Sequence, residues 1–254
     1  MKSSINFNII NDLFNDLNRP VIIAGPCAVE SLDSMMSLSR RLKDIGVDML
    51  RGGVYKPRTS PYDFQGLGEE GLKVLNEVRK ELMLPVSTEI MDPRDIQKAI
   101  DYVDVIQIGS RNMYNYTLLR EAGKTSVPII LKRGISATYK EWLSAAEYIL
   151  KEGNNQIILC ERGIRTFENS TRNTLDLNVV PYMKENTSFP IIVDPSHGTG
   201  IRSFVPPMSK AAIACGADGL LIEVHENPDE AISDSFQTID VDILKGLIKD
   251  IGNK

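Results

Sequence analysis

A rhythm restricts this chain more than any other feature. Eight short runs of β-branched and other apolar residues recur at intervals of roughly thirty residues, each followed by a more polar stretch, several of them with helical spacing. The runs are VIIAG (21–25), MLRGG (49–53), PVSTEI (85–90), VIQIGS (105–110), PIILKRG (128–134), QIILCERG (156–163), PIIVDPS (190–196) and GLLIEV (219–224). Continuous apolar runs suit strands covered on both faces, because a strand with one wet face alternates instead. Helical patterns occupy residues 72–83, 95–102, 139–150, 208–215 and 241–251. Eight strands interleaved with helices is the count of an α/β chain closed as a (β/α)8 TIM barrel, with a doubly wound open sheet as the alternative. No linker, low-complexity tract or shift in composition divides the 254 residues. One domain over 1–254 is expected, with 1–20 as a short N-terminal extension in which Ile10, Leu13, Phe14 and Leu17 keep helical spacing.

A barrel makes a demand on the side chains, since its active site gathers at the C-terminal ends of the strands. The charged residues meet it. Arg51, Lys56 and Arg58 follow the second run, Glu89 ends the third, Arg111 follows the fourth, Lys132 and Arg133 close the fifth, and Arg162 follows the sixth. Asp194 and His197 end the seventh, and Glu223 ends the eighth. The densest stretch is RGGVYKPRTSPY, where Thr59 and Ser60 add hydroxyls to three cations. Guanidinium forks, ammonium groups and hydroxyls are the donors that hold phosphate and carboxylate. The run starts carry Pro85, Pro128 and Pro190, which is punctuation rather than chemistry.

Closing the barrel makes the first and last strands neighbours. Cys27, His197, Glu223 and Asp234 then converge, although they span some two hundred residues of sequence. Sulfur, nitrogen and oxygen donors together suit one divalent transition-metal ion, with Mn, Fe, Co or Zn all compatible. His225 alternates with Glu223 but equally suits a structural role, and Cys160 and Cys215 sit among apolar residues and are expected to pack. Trp142, Tyr148 and Leu150 are likewise expected to be packing residues. GLGEEG (66–71) matches a dinucleotide fingerprint in spacing, but it follows a polar loop rather than a strand, and its two glutamates would repel a pyrophosphate. No Walker sequence is present.

Several function classes drop out on bulk grounds. A net charge of −5 disfavours a general nucleic-acid surface, so the cations must act locally. No apolar stretch approaches the ~18 residues of a membrane span, and the N-terminus lacks the apolar core of a signal peptide. Three scattered cysteines form no CxxC pair, which fits a reducing cytoplasm and leaves the sequons at Asn169 and Asn186 without meaning. A metal beside a cationic pocket is compatible with an aldol-like condensation, metal-assisted phosphate release or sugar-phosphate isomerisation.

The motifs AGPC-A-VES, RGGVYKPRTSPYDFQGLGEEGL, STEI, IGSRN, LKRG, CERGIRTFENSTRNTLD, DPSHGTG and IEVH occur in this order. Over residues 21–237 the chain closely resembles 3-deoxy-D-arabino-heptulosonate 7-phosphate (DAHP) synthases, in the branch near 3-deoxy-D-manno-octulosonate 8-phosphate synthases. KPRTS at 56–60 favours the former, since octulosonate enzymes typically carry an Asn-Arg-Ser-Ser type sequence there. The resemblance implies metal-dependent condensation of phosphoenolpyruvate with erythrose 4-phosphate; the octulosonate enzyme, using arabinose 5-phosphate, is the alternative. In that chemistry the enol carbon attacks the aldehyde, water adds to carbon 2 and phosphate leaves by carbon–oxygen cleavage. Carried over, Cys27, His197, Glu223 and Asp234 are metal ligands. Arg51, Lys56, Glu89, Ser110, Arg111, Lys132 and Arg162 hold phosphoenolpyruvate, and Arg58, Thr59 and Ser60, with Arg202 as a weaker candidate, hold the aldose phosphate. Lys56, Cys27 and His197 form the catalytic set. The resemblance further implies a homo-oligomer, often a tetramer, and small-molecule partners without nucleic acid or membrane. Many relatives carry a product-sensing domain; a bare catalytic barrel insensitive to Phe, Tyr and Trp is expected here.

Overall fold

The computed structural model describes residues 8–15, 17–56, 60 and 62–252. Eight parallel strands run in chain order around a closed barrel: β1 (Val21–Gly25), β2 (Met49–Arg51), β3 (Val86–Glu89), β4 (Val105–Ile108), β5 (Ile129–Lys132), β6 (Ile157–Glu161), β7 (Ile191–Val193) and β8 (Gly219–Glu223). Pairing of β1 with β8, from Val21 against Gly219 to Gly25 against Glu223, closes the ring and excludes the open doubly wound alternative. The helices are α1 (Leu32–Asp44), α2 (Glu69–Leu82), α3 (Ile96–Ala99), α4 (Tyr116–Gly123), α5 (Tyr139–Lys151), α6 (Val179–Asn186), α7 (Pro195–Thr199), α8 (Val205–Ala214) and α9 (Val241–Gly252). Each strand lies within its expected run and is generally shorter. The prolines explain the starts: Pro85, Pro128 and Pro190 lend carbonyls to Leu50, Ile106 and Leu159 of the neighbouring strands but have no N–H to donate.

Strand starts use a second device. Asp48, Asp104 and Asp218 each stand one residue before a strand and accept the backbone N–H of the preceding one, at Ile22 (2.8 Å), Val86 (3.0 Å) and Ile191 (2.8 Å). Each of these carboxylates also holds a cation, Arg19, Arg79 and Lys184 respectively. The N–H groups that open a strand are thereby satisfied, as buried backbone donors must be.

Alternation along the strands sorts the side chains into two cores. Outward-facing Ile22, Leu50, Ile106, Leu131, Leu159, Val193 and Ile222 pack under the helices. Inward-facing Val21, Ile23, Met49, Val105, Ile130, Ile158, Cys160, Ile192 and Leu221 fill the barrel. The N-terminal segment stops its base: a π-helix at Ile10–Asn15 follows buried Ile9, and Ile10, Leu13, Phe14 and Leu17 pack on the inward set. Trp142 on α5 is fully buried and donates its indole N–H to the Leu131 carbonyl at 3.2 Å, tying helix to barrel. Thr138 and Glu141 start that helix as a reciprocal capping box. Two packing expectations are corrected. Cys215 is exposed at the end of α8, because the residue lies on the C-cap beyond the helix's buried face, and Leu150 is exposed near the end of α5.

Candidate active site

Strand parity carries the site. In six strands, two residues beyond the last inward apolar side chain, the next inward position lies at the strand's C-terminal end and is polar. Met49 is followed by Arg51, Val105 by Gln107, Ile130 by Lys132, Cys160 by Arg162, Ile192 by Asp194 and Leu221 by Glu223. The same parity sends Arg133 outward. It pairs with Glu161 (3.0 Å) and Asp176 (2.9 Å) and lies over the Tyr139 ring, so it belongs to a lock behind the barrel and not to the pocket.

The four expected ligand residues meet at the junction of β1, β7 and β8. Donor atoms of Cys27, Glu223 and Asp234 all lie within 4.8 Å of one another, and His197 Nε2 stands 3.4 Å from Glu223 and 3.8 Å from Asp234. Asp194 caps α7, accepting the His197 backbone N–H and its Nδ1 at 2.9 and 2.7 Å. With Nδ1 carrying a proton toward Asp194, the Nε2 lone pair faces the cluster, the orientation that metal-ligating histidines receive from a carboxylate. Burial lowers the His197 pKa, against the pull of Asp194 and Glu223.

Glu223 is wholly buried. It accepts Arg51 Nη1 at 2.7 Å and the Gln237 amide. Burial opposes its ionisation, but His197, Arg51 and Lys56 outweigh it and hold the carboxyl well below the usual range. Burial, reinforced by Glu223, pushes the Cys27 thiol up to about 12, so without a cation the sulfur keeps its proton. Lys56 donates to the Cys27 sulfur at 2.8 Å and to its carbonyl at 2.9 Å. Gly53 makes room for this, because a Cβ there would meet the Cys27 carbonyl at 2.4 Å. Asp234 reaches the cluster from a left-handed backbone, φ 55°, a region Asp tolerates better than most residues. Two carboxylates and a thiol within this distance, with the His197 imidazole beside both carboxylates, fit one divalent ion of the borderline class.

Beside the cluster opens a cavity of about 230 Å³ lined by Lys56, Glu89, Ser110, Arg111, Lys132 and Arg162, with Arg165, Arg172, Asn173, His197 and Asp234 completing much of its wall. Six of these are cations. Lys56, Lys132 and Arg162 are buried, whereas Arg111, Arg165 and Arg172 are exposed at the rim. Lys132 pairs with Asp194 at 2.6 Å. Arg162 donates to the carbonyls of Gly163 and His197 at 3.3 and 3.5 Å, and among the described residues no carboxylate pairs with it at ion-pair distance. Burial pushes its pKa down, as desolvation does to any buried cation. Glu89 is oriented by Gln107 at 3.3 Å.

Not every expected residue lines this cavity. Arg51 is turned to Glu223 and the Cys27 carbonyl. Ser60 accepts the Tyr62 N–H and is not among the wall residues, while Arg58 and Thr59 lie outside the described residues. Arg202 sits in a separate surface recess, held by Asp229 and the Ser235 carbonyl. His225 lines another recess and bonds Asn227. Sequence reasoning passed over Arg165, Arg172, Asn173, Gln107 and Gln237. Gln107 carried a signal, a polar residue in an otherwise apolar strand. The arginines stand in a long loop where spacing says nothing of direction.

The DAHP synthetase I family model matches residues 11–251. The phospho-2-dehydro-3-deoxyheptonate aldolase of Thermotoga maritima is 50% identical over 230 residues, covering 91% of this chain and 68% of its own length. A crystal structure of a DAHP synthase from the same organism superposes with a TM-score of 0.90 at 48% identity, covering 94% of this chain and 71% of that one. The 2-dehydro-3-deoxyphosphooctonate aldolase of Geobacter sulfurreducens is more distant, 32% identical over 251 residues and 91% of each chain. With a family match over nearly its whole length, the chain belongs to the DAHP synthetase I family.

Proposed function

We infer that this protein is an aldol-type transferase with 3-deoxy-7-phosphoheptulonate synthase activity. It joins phosphoenolpyruvate to D-erythrose 4-phosphate with release of phosphate, the first step of the shikimate route to aromatic amino acids. The observation that carries the reading is a cation-rich cavity opening directly onto a Cys-Glu-Asp cluster with His197 beside it, in a chain 50% identical over 230 residues to a phospho-2-dehydro-3-deoxyheptonate aldolase.

Arg162, Lys132 and Arg111 neutralise the phosphate of phosphoenolpyruvate, the first two from buried positions where an ion pair is strong. Lys56 meets the carboxylate from the cavity side while holding the Cys27 sulfur, and Arg51 steadies Glu223 behind it. Ser110 and Glu89 contact the same substrate from the wall. Arg58, Thr59 and Ser60 take the aldose phosphate. Cys27, His197, Glu223 and Asp234 hold one divalent ion, Mn, Fe, Co or Zn, which supplies Lewis-acid polarisation of the acceptor's aldehyde oxygen when bound. The fixed cations are oriented before the substrates arrive, so they offset charge building on oxygen without reorganisation. Unpaired Cys27, Cys160 and Cys215 support a cytoplasmic enzyme, and the resemblance supports a homo-oligomer, possibly a tetramer.

Phosphate release tests the reading, measured with erythrose 4-phosphate or arabinose 5-phosphate, before and after chelation and with Mn(II) restored. Turnover with the four-carbon sugar, lost on chelation and regained with Mn(II), is expected. Preference for the five-carbon sugar would replace it with the octulosonate reaction, and chelator-resistant turnover would overturn the ligand set.

A further inference from the structure

We infer that Asp194 is the positioning residue that makes the ligand cluster and the cation cavity one unit, fixing the His197 imidazole and the Lys132 ammonium through a single buried carboxylate. Asp194 closes β7 with no solvent exposure. One oxygen, Oδ1, accepts the His197 backbone N–H at 2.9 Å. The other, Oδ2, is shared between His197 Nδ1 at 2.7 Å and Lys132 Nζ at 2.6 Å. His197 lies three residues on, across one helical turn, whereas Lys132 reaches in from β5, 62 residues away in sequence. The cluster and the cavity therefore lean on the same atom.

A bland role is available, since Asp194 is the N-cap of α7. The two roles separate on one substitution. Asn caps a helix about as well as Asp, and Asp194→Asn can keep an oxygen at the Oδ1 position for the backbone N–H. Its amide NH2 then takes the place of Oδ2 and points donor hydrogens at two donors. To regain a bond, His197 must accept at Nδ1 and carry its proton on Nε2, which puts an N–H where the cluster needs a lone pair. Lys132 at the same time loses its only carboxylate partner among the described residues. A cap alone predicts none of this.

The inference rests on reading His197 as a ligand, and the tests keep the two claims apart. The chain has only two histidines, so long-range ¹⁵N–¹H spectra of the metal-free protein resolve both, with His225→Asn assigning them. His197 is expected in the Nδ1–H tautomer, and in the Nε2–H tautomer in Asp194→Asn. That variant should bind Mn(II), counted by electron paramagnetic resonance of the free ion, about 10- to 100-fold more weakly, and inorganic phosphate more weakly as well. An Nε2–H tautomer in the unsubstituted protein overturns the proposal. So does a folded Asn variant with unchanged Mn(II) and phosphate binding. If the variant does not fold, the tautomer in the unsubstituted protein decides alone. Mn(II) binding unaffected by His197→Gln would instead remove the ligand reading; loss there with none in Asp194→Asn would remove only the role of Asp194.

Discussion

Gly109 follows β4 directly beneath Glu89, and replacing it with alanine is a sharp probe of the cavity wall. An alanine Cβ there would stand 2.0 Å from Glu89 Oε1 and 2.7 Å from its Cδ, where ordinary contact begins at 3.4 Å. The carboxylate must therefore retreat by roughly 1.4 Å. Because the obstructing atoms are the far end of a flexible side chain, the backbone need not move and the barrel should survive. What is lost is the position of Glu89 and its bond to Gln107. Misplacing a group by about 1 Å at a reacting centre costs ~10²-fold, equivalent to about 2.7 kcal/mol of transition-state stabilisation. The assay is kcat and KM for both substrates beside a thermal melt. The expected result is a kcat/KM for phosphoenolpyruvate lowered on the order of 100-fold with Tm nearly unchanged. Wild-type kinetics would show that Glu89 has no positional role, and a collapse of Tm would show that the clash reaches the backbone.

Gly246, on α9, has nothing within 4 Å of an added Cβ, so Gly246→Ala should raise stability by about 0.4–1 kcal/mol in denaturant titration and leave activity alone. Arg133→Met strands the buried carboxylate of Glu161 and removes one partner of half-buried Asp176. It should cost about 3–5 kcal/mol, read as a Tm lower by roughly 10 °C at this chain length. The acid limb of stability tests the same lock. Burial opposes ionisation of Asp176, but hydrogen bonds from Arg133 and Tyr139 prevail and hold its carboxyl below 3.8. Its contribution is thus present above pH 3.8 and is lost as pH falls through the lower folded value. Burial pushes Glu161 the other way, so the comparison of wild type with Asp176→Asn isolates the effect: the variant should lose less stability on acidification, and parallel curves would refute it.

The barrel was legible because apolar runs such as IILK and IILCE are too short and too β-branched for helices, and their number left few architectures. The convergence of Cys27 and Glu223 was legible because barrel closure is a topological fact: once β1 neighbours β8, the two must approach each other. Parity at the strand ends was harder to use. Lys132 and Arg133 read alike as adjacent cations, and only counting in twos from Ile130 in the barrel interior shows that one enters the pocket and the other leaves it. Arg51 read as a substrate contact from residue type alone, which could not show that its guanidinium also holds Glu223. Arg172 was invisible for the opposite reason. Its position depends on loop 163–178 folding back so that its backbone N–H meets the Thr199 carbonyl and its guanidinium meets Gln237. The aspartates before β2, β4 and β8 stood in plain sight, but nothing in a single sequence separates a strand-opening acceptor from an ordinary surface acid.

The N-terminal turn around Ile9, Ile10, Leu13 and Phe14 lies across the base of the barrel, beneath layers of isoleucine, valine and methionine with no polar path between them. Among the described residues the barrel is consequently stopped at its base and open towards the strand ends. Among the described residues Arg111, Arg165 and Arg172 ring the outer wall of the cavity and Lys132 and Arg162 its buried floor, so an anion seated on the floor lies beneath a rim of cations.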